Sequence, residues 1–260
     1  MSEQTADHGS LIDALLSSSR RATLPFQQAH RGDVFGTAFW FNDLVVGESA
    51  DGGEVYRQFL VTAGALTRYD LAEIRLRPEL SDSAMSANGL MMTRFQEGWI
   101  PLGDSGVSAL PAGVLHALAR RKGWAWATDE ITDGVAAKAE DLALLGDGPV
   151  PAYVLGHDVG PDRTQREQAV VVGEVVRGGD GRGFVWTVPV PRGCVGAPVF
   201  AGLRLEGLRF RLVCLGVLLP GEGDRHPVAG FDRIRAGVRA LPEERPAPEA
   251  PRSRWWRKRV

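Results

Sequence analysis

Short apolar runs of strand length recur along the whole chain, separated by turns rich in glycine, proline and aspartate. A first series includes "DVFGTAFWFN", "YRQFLVTAGAL" and "GLMMTRF", and a second includes "PAYVLGHD", "AVVVGEVVR", "GFVWTVPV" and "RFRLVCLGVLL". Runs of this length, bounded by turn residues, predict β-strands. About six strands, a short helical connector and about six further strands indicate an all-β protein built from two tandem six-stranded antiparallel β-barrels.

Helical spacing is confined to a few short stretches. Leu11, Leu15 and Leu16 predict a short N-terminal helix, "AGVLHALARR" predicts the connector, and "GFDRIRAGVRAL" predicts a C-terminal helix. The acidic, proline-rich "PEERPAPEAP" has no core-forming pattern and predicts an extended linker. These patterns divide the chain into an N-terminal segment (1–20), a first barrel (21–130), a second barrel (131–241) and a disordered linker with a basic tail (242–260).

Several stretches resemble motifs of one enzyme family in chain order. "RGCVGAPVF" resembles the motif around the nucleophilic serine of the trypsin-like serine proteases, and "GTAFWF", "FLVTAGAL" and "GVSALPA" resemble strands of their first barrel. "AYVLGHD" and "AVVVGEVV" resemble two strands of bacterial members. The resemblance extends over residues 20–240. It implies the trypsin-like fold, in which the active site lies in the cleft between two barrels.

The catalytic positions implied by this resemblance hold other residues. Ala65 stands at the histidine position, Gly106 at the aspartate position and Val195 at the serine position, while Asp104 lies two residues upstream of Gly106. In the triad a hydroxyl attacks, an imidazole takes its proton and a carboxylate orients the imidazole. Loss of the serine or histidine alone lowers the rate on the order of 10⁶-fold. The resemblance therefore implies a pseudoprotease with no catalytic residues.

A hydrolase that uses unconventional residues is the alternative, with Cys194 or Ser108 as the nucleophile. A thiol serves on this fold only at the apex of the nucleophile turn, with a base within hydrogen-bond reach. A half-buried apolar role for Cys194 is the favoured interpretation. The five histidines are scattered without metal-ligand spacing, so we expect no metal and no other cofactor.

Binding can outlast the loss of catalysis, because recognition and cleavage use different atoms. Gly193 and Gly196 keep the backbone turn that forms the oxyanion hole in the family, and Cys194 lies in the same turn. His157, at a strand end, is a further candidate binding residue, although a capped structural histidine is favoured. Residues 213–218 correspond to the strand that pairs with an extended substrate. We therefore expect a peptide or protein partner in the vestigial cleft.

The net charge of −2 gives the whole chain no attraction for nucleic acid or anionic lipid. The tail "RSRWWRKRV" differs, because Trp255 and Trp256 lie among cations that include Arg257, Lys258 and Arg259. Such a segment suits weak contact with an anionic membrane or nucleic acid, so a scaffold that delivers this tail is a third hypothesis. Two cysteines, no signal-peptide pattern and no apolar run of membrane length predict a cytoplasmic protein.

Overall fold

The computed structural model describes residues 2–30, 33–48, 54–80, 89–160, 166–179, 183–205 and 210–242. The strands of the first sheet are β1 (Thr23–Gln28), β2 (Phe35–Glu48), β3 (Glu54–Ala63), β4 (Leu71–Arg75), β5 (Gly89–Thr93), β6 (Ile100–Pro101), β7 (Val107–Pro111) and β8 (Ile131–Thr132). The strands of the second are β9 (Val150–Val159), β10 (Arg166–Arg177), β11 (Phe184–Trp186), β12 (Pro198–Arg204), β13 (Phe210–Leu218) and β14 (His226–Gly230). The α-helices are α1 (Ser2–Ser19), α2 (Gly113–Arg121), α3 (Ala139–Leu144) and α4 (Phe231–Arg239).

The two sheets form a double barrel, as the strand pattern predicts. The second sheet is a closed barrel in the order β10-β11-β14-β13-β12-β9. The first sheet has the order β5-β4-β1-β2-β3-β7-β6 and curls into a half-barrel, with β8 pairing in parallel with β2. The predicted all-β fold with terminal helices is therefore confirmed. The N-terminal helix is longer than its leucine spacing indicates, and the first sheet is not closed across its described end strands.

Alternation along β2 explains how one strand serves two cores. Ala38 and Trp40 face the interior of the first barrel, whereas Phe39 and Phe41 face the layer between the barrels. Successive side chains of a strand point to opposite faces, so a strand buried on both faces is apolar throughout. The inter-barrel core also receives Tyr153, Leu155 and Phe200 from the second barrel, Leu11 and Leu15 from α1, and Phe231, Ile234 and Val238 from α4.

Ion pairs to one buried carboxylate join α4 to the first sheet. Asp43 of β2 is almost fully buried, and its carboxylate lies 3.2 Å from both Arg57 of β3 and Arg239 of α4. Arg57 also donates to the Val238 carbonyl at 3.1 Å. A buried carboxylate needs such partners, because unpaired burial of its charge costs several kcal/mol. Because α4 also packs on β13 and β14, these contacts link the second barrel to the first sheet.

The helices in the described part of the chain include none that is both long and apolar enough to span a lipid bilayer. Cys194 and Cys214 are both buried and are not joined in a disulfide.

Candidate functional site

The three positions marked by the family resemblance meet at the junction of the barrels. Ala65 lies in the 3₁₀ helix Gly64–Thr67 directly after β3, and the Gly64 N–H donates to the Gly106 carbonyl at 2.8 Å. The Thr37 N–H of β2 donates to the Val195 carbonyl at 2.9 Å. The sequence-predicted positions are thus brought together at one cleft.

Two adjoining hollows make up this cleft. The Ala65 hollow has a volume of about 610 Å³ and is lined by Ala65, Gly106, Ser108 and Trp99, among others. The Val195 hollow has a volume of about 530 Å³ and is lined by Val195, Leu66, Phe35, Gly193, Arg192, His226 and a set of prolines. Pro220 lines both, so the hollows lie side by side along the inter-barrel junction.

The side chains that line the Ala65 hollow carry hydroxyl, amide, guanidinium and indole groups. They belong to Ser108, Thr67, Gln96, Arg68 and Trp99. Among the described residues that line it, no histidine, cysteine or carboxylate is present. The Ser108 hydroxyl therefore has no general base beside it in this hollow.

Gly106 and Asp104 lie on the turn before β7. A Cβ at Gly106 would lie 3.1 Å from the Leu219 Cδ1, so Leu219 occupies the space into which a side chain at this position would project. Asp104 is 91% exposed and lies 3.8 Å from the Arg233 guanidinium. The structure thus places the Asp104 carboxylate outside the hollow, and not in the position of a triad aspartate.

The turn before β12 has two glycines in a conformation that other residues rarely adopt. Gly193 has φ +102° and Gly196 has φ +87°, both in the region that favours glycine. A Cβ at Gly196 would overlap the Thr62 Oγ1 and the Thr37 carbonyl. The Arg192 carbonyl accepts from the Val159 N–H at 3.0 Å. Because a trans peptide points its N–H opposite to its C=O, the Gly193 N–H is directed away from β9.

Thr37 is the residue that ties the first barrel to this turn, and sequence reasoning missed it. Its hydroxyl donates to the Gly193 carbonyl at 2.8 Å and accepts from the His157 N–H at 3.1 Å. Its own carbonyl accepts from the Thr62 hydroxyl at 2.7 Å. The sequence feature that could have identified Thr37 is its position inside the apolar run "GTAFWF". A polar residue there indicates a buried hydroxyl with hydrogen-bond partners.

Cys194 points away from the cleft. It is fully buried in the core of the second barrel, with its Sγ 3.9 Å from the His157 carbonyl. Burial, with a smaller contribution from the charge of Asp158, raises the pKa of the thiol to about 12. Cys194 is therefore not the binding residue of the cleft that its place in the glycine turn predicts, because its side chain lies on the far side of the turn. A one-residue offset in a tight turn reverses the side-chain direction.

His157 also lies outside the cleft, in the joint between the barrels. It is fully buried, and its Nε2 lies 3.0 Å from the Thr23 hydroxyl of β1. Burial, with a smaller contribution from the positive charge of Arg77, lowers the pKa of His157 to about 3. His157 is therefore not a binding residue of the cleft but an uncharged structural side chain between β9 and β1.

Strand β13, whose residues 213–218 are predicted to pair with a peptide, has no free edge over those residues. Strand β13 pairs with β12 over most of its length, and its last residues, Gly216 to Leu218, pair with β14. On the same side, the Cys214 N–H donates to the Val135 carbonyl at 2.8 Å. The backbone of residues 213–218 is thus already occupied. The open part of this wall comes afterwards, where Leu219 and Pro220 line the hollows.

No group of three or more histidine, cysteine, aspartate or glutamate side chains suited to a metal ion occurs in the part of the chain that the structure describes. The tail residues Trp255, Trp256, Arg257, Lys258 and Arg259 lie outside the described residues.

No protein-family model and no curated protein sequence matches this chain. Among solved structures, the serine endoprotease from Yersinia pestis is similar, with a TM-score of 0.50 at 8% identity over 88% of this chain and 66% of that chain. A catalytically inactive tobacco etch virus protease complexed with substrate has a TM-score of 0.48 at 8% identity, over 83% of this chain and 80% of that chain. A thermostable serine protease from an extremophilic microorganism has a TM-score of 0.47 at 11% identity, over 84% of this chain and 95% of that chain.

The fold is therefore that of the trypsin-like serine proteases, two β-barrels with a cleft between them. This chain spans 66% of the length of the Yersinia enzyme. At 8% identity the similarity extends to the fold alone, so the chemistry of the cleft follows from this chain's own residues.

Proposed function

We propose that this chain is a catalytically inactive trypsin-like domain of the bacterial kind, whose inter-barrel cleft binds an extended peptide segment of a partner protein. One observation carries the proposal: the cleft is open, yet Ala65 and Val195 present only a methyl and an isopropyl group to it. Neither group can attack a carbonyl or accept a proton. The cleft therefore has room for a peptide but has no nucleophile or base at these two positions.

The contacts of the two alternative nucleophiles favour binding over hydrolysis. The Cys194 thiol has a pKa of about 12 and is protonated at neutral pH, and its Sγ faces the barrel core. The Ser108 hydroxyl lines the Ala65 hollow, but a serine attacks only when a base removes its proton. His116, which is half-buried on α2, instead contacts Gln58 and stacks on Trp40.

The Val195 hollow offers what a peptide side chain needs. Its walls are mostly apolar and include Leu66, Phe35 and Pro220, and such surfaces bind apolar side chains by excluding water. The guanidinium groups of Arg166 and Arg192 each lie over the Phe35 ring, at 4.8 and 4.9 Å from its centroid. The Gly193 N–H at the same wall is a backbone donor for a peptide carbonyl.

We further propose that the domain works in the cytoplasm. Cys194 and Cys214 are free thiols buried in separate apolar environments, which supports a reducing compartment.

Two measurements on the purified chain test the proposal. The first is labelling by a fluorophosphonate probe and hydrolysis of casein, and both should be absent. Labelling that disappears in Ser108→Ala, or casein hydrolysis that disappears in Cys194→Ala, would instead establish the hydrolase alternative.

The second measurement is capture of peptides from a random display library. Val195→Trp should abolish capture, because the indole fills the space beside Gly193. Val114→Trp is the matched control, since Val114 is 60% exposed on α2 and lines neither hollow. Peptides that bind both variants equally, or no enrichment at all, would contradict binding in the cleft.

A further inference from the structure

Arg68 is an uncompensated cation at the rim of the Ala65 hollow. It follows the 3₁₀ helix that carries Ala65, and its side chain is exposed. Other arginines around the cleft have acidic partners: Arg192 lies 3.5 Å from Asp33, and Arg233 lies 3.8 Å from Asp104. Arg68 forms no ion pair with the residues that the structure describes. Its charge is therefore available to a group that enters the hollow.

The rest of the lining complements an anion as well. Among the described residues, the Ala65 hollow has Arg68 as its one charged side chain and contains no carboxylate. Ser108 and Gln96 add a hydroxyl and an amide donor. The Thr67 hydroxyl already donates its one hydrogen to the Gly64 carbonyl at 3.0 Å, so the donors left for an anion are those of Arg68, Ser108 and Gln96.

The walls fit the stem of a short acidic side chain. Trp99, Pro101 and Leu219 line the hollow with apolar surface, while Ala65 projects only a methyl group into it. A hollow of about 610 Å³ has room for a carboxylate side chain together with the adjoining peptide backbone. A planar guanidinium is suited to a carboxylate because its donors match the two oxygens.

We infer that the Ala65 hollow receives an aspartate or glutamate side chain of the bound peptide, with Arg68 as its ion-pair partner. The inference rests on the proposed function and deepens it, since it names the side chain that the cleft selects. The space beside Ala65 then serves as a specificity pocket for acidic peptides.

The test starts from the peptides that the library selection enriches on the full chain. These should carry an aspartate or glutamate at one fixed position. Changing that residue to asparagine or glutamine should weaken binding about 10-fold, as expected for loss of a charge-assisted hydrogen bond. In Arg68→Gln the acidic and amide peptides should bind with equal affinity. In Arg68→Glu a library selection should favour lysine at the same position.

A matched control separates the ion pair of Arg68 from the effect of the protein's net charge. Arg121→Gln removes one exposed positive charge at the end of α2, away from the hollow, and should leave the preference unchanged. Two results would overturn this inference while leaving the proposed function intact. In the first, peptides that Val195→Trp no longer binds show no acidic preference. In the second, the acidic preference persists in Arg68→Gln. If no peptide binds in the cleft, both are overturned.

Discussion

Replacing Thr37 by valine removes one hydroxyl from the joint between the first barrel and the Gly193–Gly196 turn. The side chain is fully buried, and its hydroxyl serves two buried partners: the Gly193 carbonyl at 2.8 Å and the His157 N–H at 3.1 Å. Leaving a buried polar group without its partner costs about 1–3 kcal/mol. With two such partners left unpaired, we expect the free energy of unfolding to fall by about 2–6 kcal/mol.

Urea unfolding followed by tryptophan fluorescence measures this loss by linear extrapolation. Thr93→Val is the control, because Thr93 is exposed on β5 and such a change alters stability by less than about 0.5 kcal/mol. A loss at Thr37 no greater than that of the control would refute the argument that this hydroxyl joins the barrels. Peptide capture by Thr37→Val should also weaken, because the turn that carries Val195 loses its anchor.

Three further predictions follow from burial and backbone geometry. Because the pKa of His157 is lowered to about 3, the unfolded chain binds a proton that the folded chain does not. Stability should therefore fall below pH 6.5, by about 2 kcal/mol at pH 5, and His157→Gln should flatten this slope in pH-dependent urea titrations. Gly196→Ala should lower the unfolding free energy by about 3–5 kcal/mol, because the added Cβ overlaps Thr62 and Thr37. Gly103→Ala is the control and should lower it by about 1 kcal/mol, because a Cβ there meets open space. Equal losses in thermal unfolding would contradict the clash at Gly196. The Cys194 thiol should react with a disulfide reagent at least about 100-fold more slowly in the native chain than in urea, and rapid native labelling would place it in the cleft after all.

Much of the fold could be predicted from the sequence, because strand patterns are local. The run "GTAFWF" is apolar on both faces, and β2 is accordingly buried on both. The glycines at 193 and 196 predicted a tight turn, and both have positive φ. The ordered strand motifs also brought Ala65, Gly106 and Val195 to one cleft, since a shared chain order of strands carries a shared topology.

Side-chain partners could not be predicted in the same way. His157 and Thr23 are 134 positions apart and meet only because β9 crosses β1 between the barrels. The direction of the Cys194 side chain depends on the geometry of the turn. The motif "RGCVGAPVF", which has valine at the serine position, does not specify that geometry. The occupied edges of β13 depend on β14 and on the connecting segment near Val135, so residues 213–218 looked available in the sequence and are not.

The sequence by itself determined the order of the strand segments and the absence of a nucleophile and a base at the positions that the family resemblance marks. These are properties of residue identity and short-range periodicity. The tertiary structure alone decided which polar groups face the cleft. Cys194 and His157 are buried away from it, and Arg68 lies at its rim with no ion-pair partner among the described residues. The physical reason is that alternation assigns a side chain to one face of its strand, whereas the packing of two curved sheets decides whether that face meets a core, a neighbouring barrel or water.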